Sequence, residues 1–278
     1  MSPILIALSL AQAAAEPAPP AAAAAAPATP MTPQACLALV RTAPEQAVVA
    51  ANAWRVEGGG LDARQCLGLA YSALGRWRSA ATVYEQAARE AEEAQSPRRT
   101  TFHVQAGNAW LAANEGARAI QAFDAALAHP QLADPLRGEV HLDRARALVA
   151  LGNPPAARAD LDRALQLVPA DPMAWYLSAA LAARQSDLPR AASDIARARQ
   201  LAADDPDVLL LAGTIAGLQG NGAEAERLYR QVATSAPSSD AGRSAAAALA
   251  SMRDSPPADP APPAAATAQQ QPRNPPPR

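Results

Sequence analysis

The chain is 278 residues long, 50% of them apolar and only 4% aromatic, with a formal charge of −2. The runs of β-branched and aromatic residues that build strands are absent, and the abundant alanine favours helix. A nearly neutral chain gives no electrostatic case for binding nucleic acid or an anionic membrane surface.

At the start, Ile4–Leu10 form a short apolar core. Two small-x-small sets follow it, Ala11-Gln12-Ala13 and Ala13-Ala14-Ala15. Residues 1–15 fit an export signal and are too short to span a bilayer. A mature chain would begin at Ala14 or Glu16. The basic residue expected near such a start is missing, and the alternative is an uncleaved leader on a cytoplasmic protein. No lipoprotein-type cysteine follows the apolar core, since Cys36 comes too late, and no other segment is apolar enough for stable membrane insertion. Residues 16–32 are mostly alanine and proline, cannot pack a core, and read as an extended linker.

From residue 33 to 253 one pattern repeats. Ala157, Ala191 and Ala225 lie 34 residues apart (191−157, 225−191). Each is followed four residues later by a large apolar residue, Leu161, Ile195 or Tyr229, and three further on by Ala164, Ala198 or Val232. The frame extends backwards through Ala119-x3-Phe123-x2-Ala126 and Ala80-x3-Tyr84-x2-Ala87 to Ala47, with spacings of 38 (157−119), 39 (119−80) and 33 (80−47). Twelve residues before each complete pattern stands a small residue: Gly68, Gly107, Ala145, Ala179 and Gly213. Small side chains there let two helix backbones approach closely. Helical periodicity inside a repeat of this length describes one helix–turn–helix unit that buries its apolar face only by stacking on neighbours. The expected fold is therefore all-α, a solenoid of antiparallel helix pairs of about five and a half units. The first unit is expected to be incomplete. The two wide spacings predict a longer second helix or loop near Arg89–Pro97 and His129–Pro135.

Helix ends fit the same frame. Asp134-Pro135, Asp171-Pro172 and Asp205-Pro206 read as helix starts, where aspartate caps free amides and proline has no amide to lose. Gly75, Gly152 and Gly220 fall at the turn inside a unit, where a positive φ is expected. Ser239 can cap a last helix, about Asp240 to Met252, that covers the open end of the stack with Arg243 and Arg253 facing solvent. Residues 254–278 are proline-rich and are expected to hold no fixed structure.

Leu67-Gly68-x2-Tyr71, Gly75, Trp77, Ala80, Tyr84 and Ala87 together carry nearly the whole signature of a tetratricopeptide repeat. Ala212-Gly213, Gly220, Ala225, Tyr229 and Pro237 carry it again, and Trp175 matches the repeat's early tryptophan. Residues 33–253 thus resemble a tetratricopeptide-repeat array, and the leader makes it one of the exported bacterial type. That resemblance implies a right-handed superhelix with first helices lining a concave groove. Its candidate partner-binding residues are Gln65 and Leu69, Val104 and Asn108, Leu142 and Arg146, Tyr176, and Leu210 and Thr214. The subclass that grips a C-terminal carboxylate uses lysine, asparagine and arginine at such places. Only Asn108 and Arg146 fit here, and the chain has no lysine. Val104, Leu142, Tyr176 and Leu210 instead form an apolar line suited to a helix or extended peptide. The line could equally be filled by the chain's own tail or by neighbour packing. Read as anchors, Tyr176→Ala and Leu142→Arg would weaken partner capture and leave folding stability nearly unchanged.

The two cysteines, Cys36 and Cys66, lie on nearly the same face of adjacent first helices in this frame. In an oxidising compartment they form a disulfide; otherwise they are two buried thiols. His103 and His141 share the frame position of Trp175, which makes them packing residues. His129 ends a second helix, where a cation suits the dipole. No metal-binding, nucleophilic or phosphate-cradling motif is present, so no metal, cofactor or catalytic residue is expected. Gly58-Gly59-Gly60 reads as a turn. Asp143, Arg144 and Arg146, like Asp160 and Arg163, read as solvated charge pairs. The function expected is protein–protein interaction without catalysis, in the periplasm or outside the cell. The alternative is an accessory subunit of an envelope-assembly enzyme complex whose chemistry lies in the partner.

Overall fold

The computed structural model describes residues 31–254. The leader 1–15, nearly all of the 16–32 linker and the proline-rich tail lie outside the described residues. Among the described residues there are thirteen α-helices: α1 Pro33–Thr42, α2 Pro44–Val56, α3 Gly60–Ala73, α4 Trp77–Glu93, α5 Arg99–Ala112, α6 Gly116–Leu127, α7 Asp134–Ala150, α8 Pro154–Leu167, α9 Pro172–Arg184, α10 Leu188–Leu201, α11 Pro206–Leu218, α12 Gly222–Ser235 and α13 Asp240–Asp254. Each helix packs mainly on the next, as an all-α solenoid requires. The helices make six pairs and a final cap. The first unit, expected to be incomplete, is a full pair, α1 and α2. Its first helix buries only Cys36 and so carries no repeat signature that sequence could show.

The 16-residue offset between the small residue and the large one is the mating contact inside each unit. A Cβ placed on Gly107 would meet Phe123 Cε1 at 2.5 Å, and one on Gly213 would meet Tyr229 Cε1 at 2.7 Å. Gly68 faces Tyr84 in the same way. Phe123 is wholly buried there, so the absent methyl is the space its ring occupies. Where alanine replaces glycine, the partner is the narrower aliphatic Leu161 or Ile195, both buried.

The turns follow the same logic. Gly75, Gly152 and Gly220 have φ of 66°, 73° and 80°, as expected, and Asn114 and Ser186 hold the equivalent place in the other two units at 60° and 61°. Asp171 accepts from Met173 N at 2.8 Å, and Asp205 accepts from Asp207 N at 2.9 Å and Val208 N at 3.0 Å. Asp134 differs. It is the first residue of α7 and makes no cap, because Ala133 takes the capping position. Ser239 Oγ accepts from Gly242 N at 2.9 Å and caps α13, on which Arg243 and Arg253 are exposed. The wide spacings have two origins. α4 is a 17-residue second helix, whereas the later one combines a loop after α6 with a 17-residue first helix, α7.

Candidate functional site

Two adjoining hollows lie between α7 and α9, the first helices of successive units. One, of about 500 Å3, is lined by Glu139, Leu142, Asp143 and Arg146 of α7 and by Asp171, Met173, Tyr176 and Leu177 at the start of α9. The other, of about 180 Å3, lies further along both helices. Its walls are Ala145, Val149, Leu161, Leu177, Ala180 and Leu181, with Arg146 and Arg184 at its edge. Arg146 and Leu177 belong to both, so the two form one groove running along α7 and α9. Both helices run N- to C-terminal in the same sense along it.

Charge is graded along this groove. Glu139, Asp143 and Asp171 stand at the amino-terminal end, Arg146 at the junction of the two hollows, and Arg184 at the carboxy-terminal end. Arg146 Nη1 donates to Asp143 Oδ1 at 3.1 Å. Burial raises the Asp143 carboxyl above the usual range, against the opposing effects of Arg146 and a hydrogen bond from Asn108. Tyr176 is half-buried. Its hydroxyl is also raised, first by burial and then by the charges of Asp207 and Asp205, which extend the acidic end toward α11.

The candidate residues read from sequence divide into three groups. Leu142, Arg146 and Tyr176 meet in the groove, and Asn108 reaches it through Asp143. Gln65 and Leu69 line a separate small hollow of about 90 Å3 beside Cys36 and Cys66, where Gln65 also accepts from Arg98. Val104 and Leu210 are half-buried against their units' cores, and Thr214 donates to the Leu210 carbonyl at 3.0 Å and accepts from the Tyr229 hydroxyl at 3.2 Å. No single apolar line joins them. Leu142 is only 5% exposed and packs with Leu161, Ala164 and Leu181, so it forms the groove's floor. Leu142→Arg is therefore not neutral for stability: it would force a cation into packed core. Trp175 is only partly buried, and its Nε1–H donates to the Pro169 carbonyl at 2.9 Å.

Cys36 and Cys66 form a disulfide, with Cα atoms 5.8 Å apart, joining α1 to α3. Among the described residues, no helix is long and apolar enough to cross a membrane.

Two polar features escaped the sequence reading. Asp160 is buried rather than solvated. It accepts from Arg144 Nε and Nη2 at 2.7 and 2.6 Å and lies 2.9 Å from His141 Nδ1. Arg163 pairs instead with Gln166. One repeat later Asp194 accepts from the buried Ser178 hydroxyl at 2.5 Å, and Arg158 donates to the same hydroxyl at 2.7 Å. The signal was present in the frame. Asp160 and Asp194 sit three residues after Ala157 and Ala191, where the other complete units bury Val83, Ala122 and Leu228. The second feature is a convergence of Glu92, His103 and His129, whose ligand atoms lie within 4.8 Å of one another. Their separations of 11 (103−92) and 26 (129−103) residues match no metal motif.

The tetratricopeptide-repeat family model matches residues 67–133 and 142–206. No curated protein sequence matches the chain. Among solved structures, PilF of Pseudomonas aeruginosa is 18% identical over 78% of this chain and 95% of its own, with a TM-score of 0.62. PilW, a type IV pilus biogenesis factor, is 22% identical over 76% of this chain and 94% of its own, with a TM-score of 0.64. YrrB, a repeat protein with an unusual peptide-binding site, is 20% identical over 66% of this chain and 91% of its own, at a TM-score of 0.50. The sequence signature, the mating contacts within each helix pair and the family match agree, and the chain belongs to the tetratricopeptide-repeat family.

Proposed function

We propose that the protein is a non-enzymatic interaction scaffold that holds a peptide or helix of a protein partner along the α7–α9 groove. The observation that carries this reading is the groove itself: an apolar pocket of about 180 Å3 edged by Arg146 and Arg184, continuous with a hollow whose far end holds carboxylates. Arg184 makes no ion pair among the described residues, so its guanidinium is free to meet an acidic group. The segment that fits places one aliphatic side chain in the pocket, an acidic residue toward Arg146 and Arg184, and a basic residue toward Glu139 and Asp171. Tyr176 offers a large half-buried ring at its centre, the kind of residue that anchors interfaces. Gln65, Leu69, Val104, Asn108, Leu210 and Thr214, on the flanking first helices, are further candidate contacts for a partner that reaches beyond the groove.

The reading places the protein in the periplasm or outside the cell. It is supported by the apolar leader and by the Cys36–Cys66 disulfide, which persists in oxidising compartments. Selection from a random peptide library on the tag-free protein tests the groove. Recovered peptides should share an aliphatic residue followed or preceded by an acidic one. Tyr176→Ala and Arg184→Glu should each weaken them about tenfold or more, while Arg197→Glu on α10 should not. Binding indifferent to both groove changes would refute the reading.

A further inference from the structure

The Glu92, His103 and His129 cluster lies outside the groove. Glu92 is in the last turn of α4, His103 in the first half of α5, and His129 just beyond the end of α6. The chain has 3 histidines in all, and two of them meet here with ring centroids 6.2 Å apart. His103 Nε2 lies 2.7 Å from Glu92 Oε1, and the His103 side chain is only 14% exposed, so packing fixes its direction. The loop bearing His129 is fixed as well. Arg137 donates to the carbonyls of Leu127, His129 and Leu132 at 3.2, 3.1 and 3.2 Å. A site whose supports are held in this way needs little reorganisation to bind.

Two imidazole nitrogens and one carboxylate oxygen make a donor set for a borderline divalent ion, and a poor one for calcium or magnesium, which prefer all-oxygen shells. We propose that Glu92, His103 and His129 form a binding site for a zinc-type divalent transition-metal ion, joining α4, α5 and the α6–α7 connection. The adjustment needed is small. Donors on a tetrahedral ion with bonds of about 2.0–2.1 Å stand about 3.3 Å apart. The Glu92–His103 pair must open slightly from 2.7 Å, and the widest pair must close from no more than 4.8 Å. If the ion takes His129 Nδ1, it displaces Arg99, whose Nε–H donates to that atom across a long 3.3 Å. With three protein ligands and an exposed Glu92, a fourth position is left for water or a partner's donor.

The test is a titration of tag-free, metal-stripped full-length protein with Zn2+ against a chromogenic chelator, with Mg2+ and Ca2+ as comparisons. The expected result is one Zn2+ per chain, no competition from Mg2+ or Ca2+, and a melting temperature raised by the ion. His129→Ala, in a loop, and Glu92→Gln, on an exposed helix end, should each weaken binding by at least about tenfold and abolish the thermal shift, with circular dichroism unchanged. Glu93→Gln, the neighbouring exposed carboxylate, should change nothing. Absence of stoichiometric Zn2+ binding overturns the proposal. So does binding that survives both ligand substitutions, which would mark Glu92 and the two histidines as a hydrogen-bonded cluster only.

Discussion

Breaking the Cys36–Cys66 bond should release the N-terminal unit and leave the rest of the array in place. Among the described residues α1 packs mainly on α2 and α3, and the one residue it buries is Cys36 itself. Leu37, its neighbour, is 49% exposed, so little apolar area holds the helix down. The bond closes a loop with a sequence separation of 30, worth about 3–4 kcal/mol on the chain-entropy account. At about 1.4 kcal/mol per factor of ten, local opening should become roughly a hundred to a thousand times more frequent. A Cys36→Ala/Cys66→Ala double variant and reductant on the native protein are independent ways to remove the bond. Hydrogen exchange read by mass spectrometry on peptides from α1 and α2, against peptides from α11 and α12, reports where the effect falls. Faster exchange confined to the first unit is expected, because each repeat leans only on its neighbours. Unchanged exchange in α1 would mean that packing, not the cross-link, holds it. An equal rise at both ends would mean that the array unfolds as one unit, which contradicts the solenoid energetics.

Other outcomes follow from the core. Gly107→Ala drives a methyl into the buried Phe123 ring. The overpacking cost of about 1–3 kcal/mol exceeds the roughly 1 kcal/mol gained in helix propensity, so melting should fall, and Phe123→Leu should restore part of it. Leu142→Ala should cost about 2–4 kcal/mol in urea unfolding, because the side chain is 5% exposed; a surface role predicts almost nothing. Asp160→Asn should cost about 2–3 kcal/mol at pH 7 by leaving Arg144 and His141 without their buried anion. Burial opposes the charged form of Asp160, but the hydrogen bonds from Arg144 and His141 outweigh it and hold the carboxyl below its ordinary range. A depressed folded value stabilises above the unfolded pKa of about 4 and is lost as pH falls through the folded one, so the gap between variant and wild type should shrink toward pH 3. An equal gap at pH 7 and pH 3 would remove Asp160 ionisation from the explanation.

The repeat was legible because its contacts obey a fixed offset. A small residue, and a large one 16 positions on, must touch in every unit, so Gly107–Phe123 and Gly213–Tyr229 stand out in the bare sequence. The first unit was half hidden, since α1 docks through a cystine instead of a signature residue. Asp160 was misread for a physical reason. An aspartate three residues before an arginine looks the same whether it faces water or a neighbouring helix, and only the repeat position told them apart. The apolar line of four first-helix residues failed similarly. Each residue one turn from the mating contact was assigned to the open face, yet Leu142 packs into the core with Leu161, Ala164 and Leu181. The Glu92, His103 and His129 cluster depends on α4, α5 and the loop after α6 meeting, which no local spacing encodes.

Site-specific photocross-linking in the native cell tests the central claim most directly. A photoreactive residue at Met173 or Ala180 would sit within the α7–α9 groove, and one at Ala196 would sit on the exposed side of α10. The scaffold account predicts the same partner adduct from positions 173 and 180, lost with Arg184→Glu, and none from 196. Adducts arising equally or only from position 196 would place recognition on the second helices and contradict it.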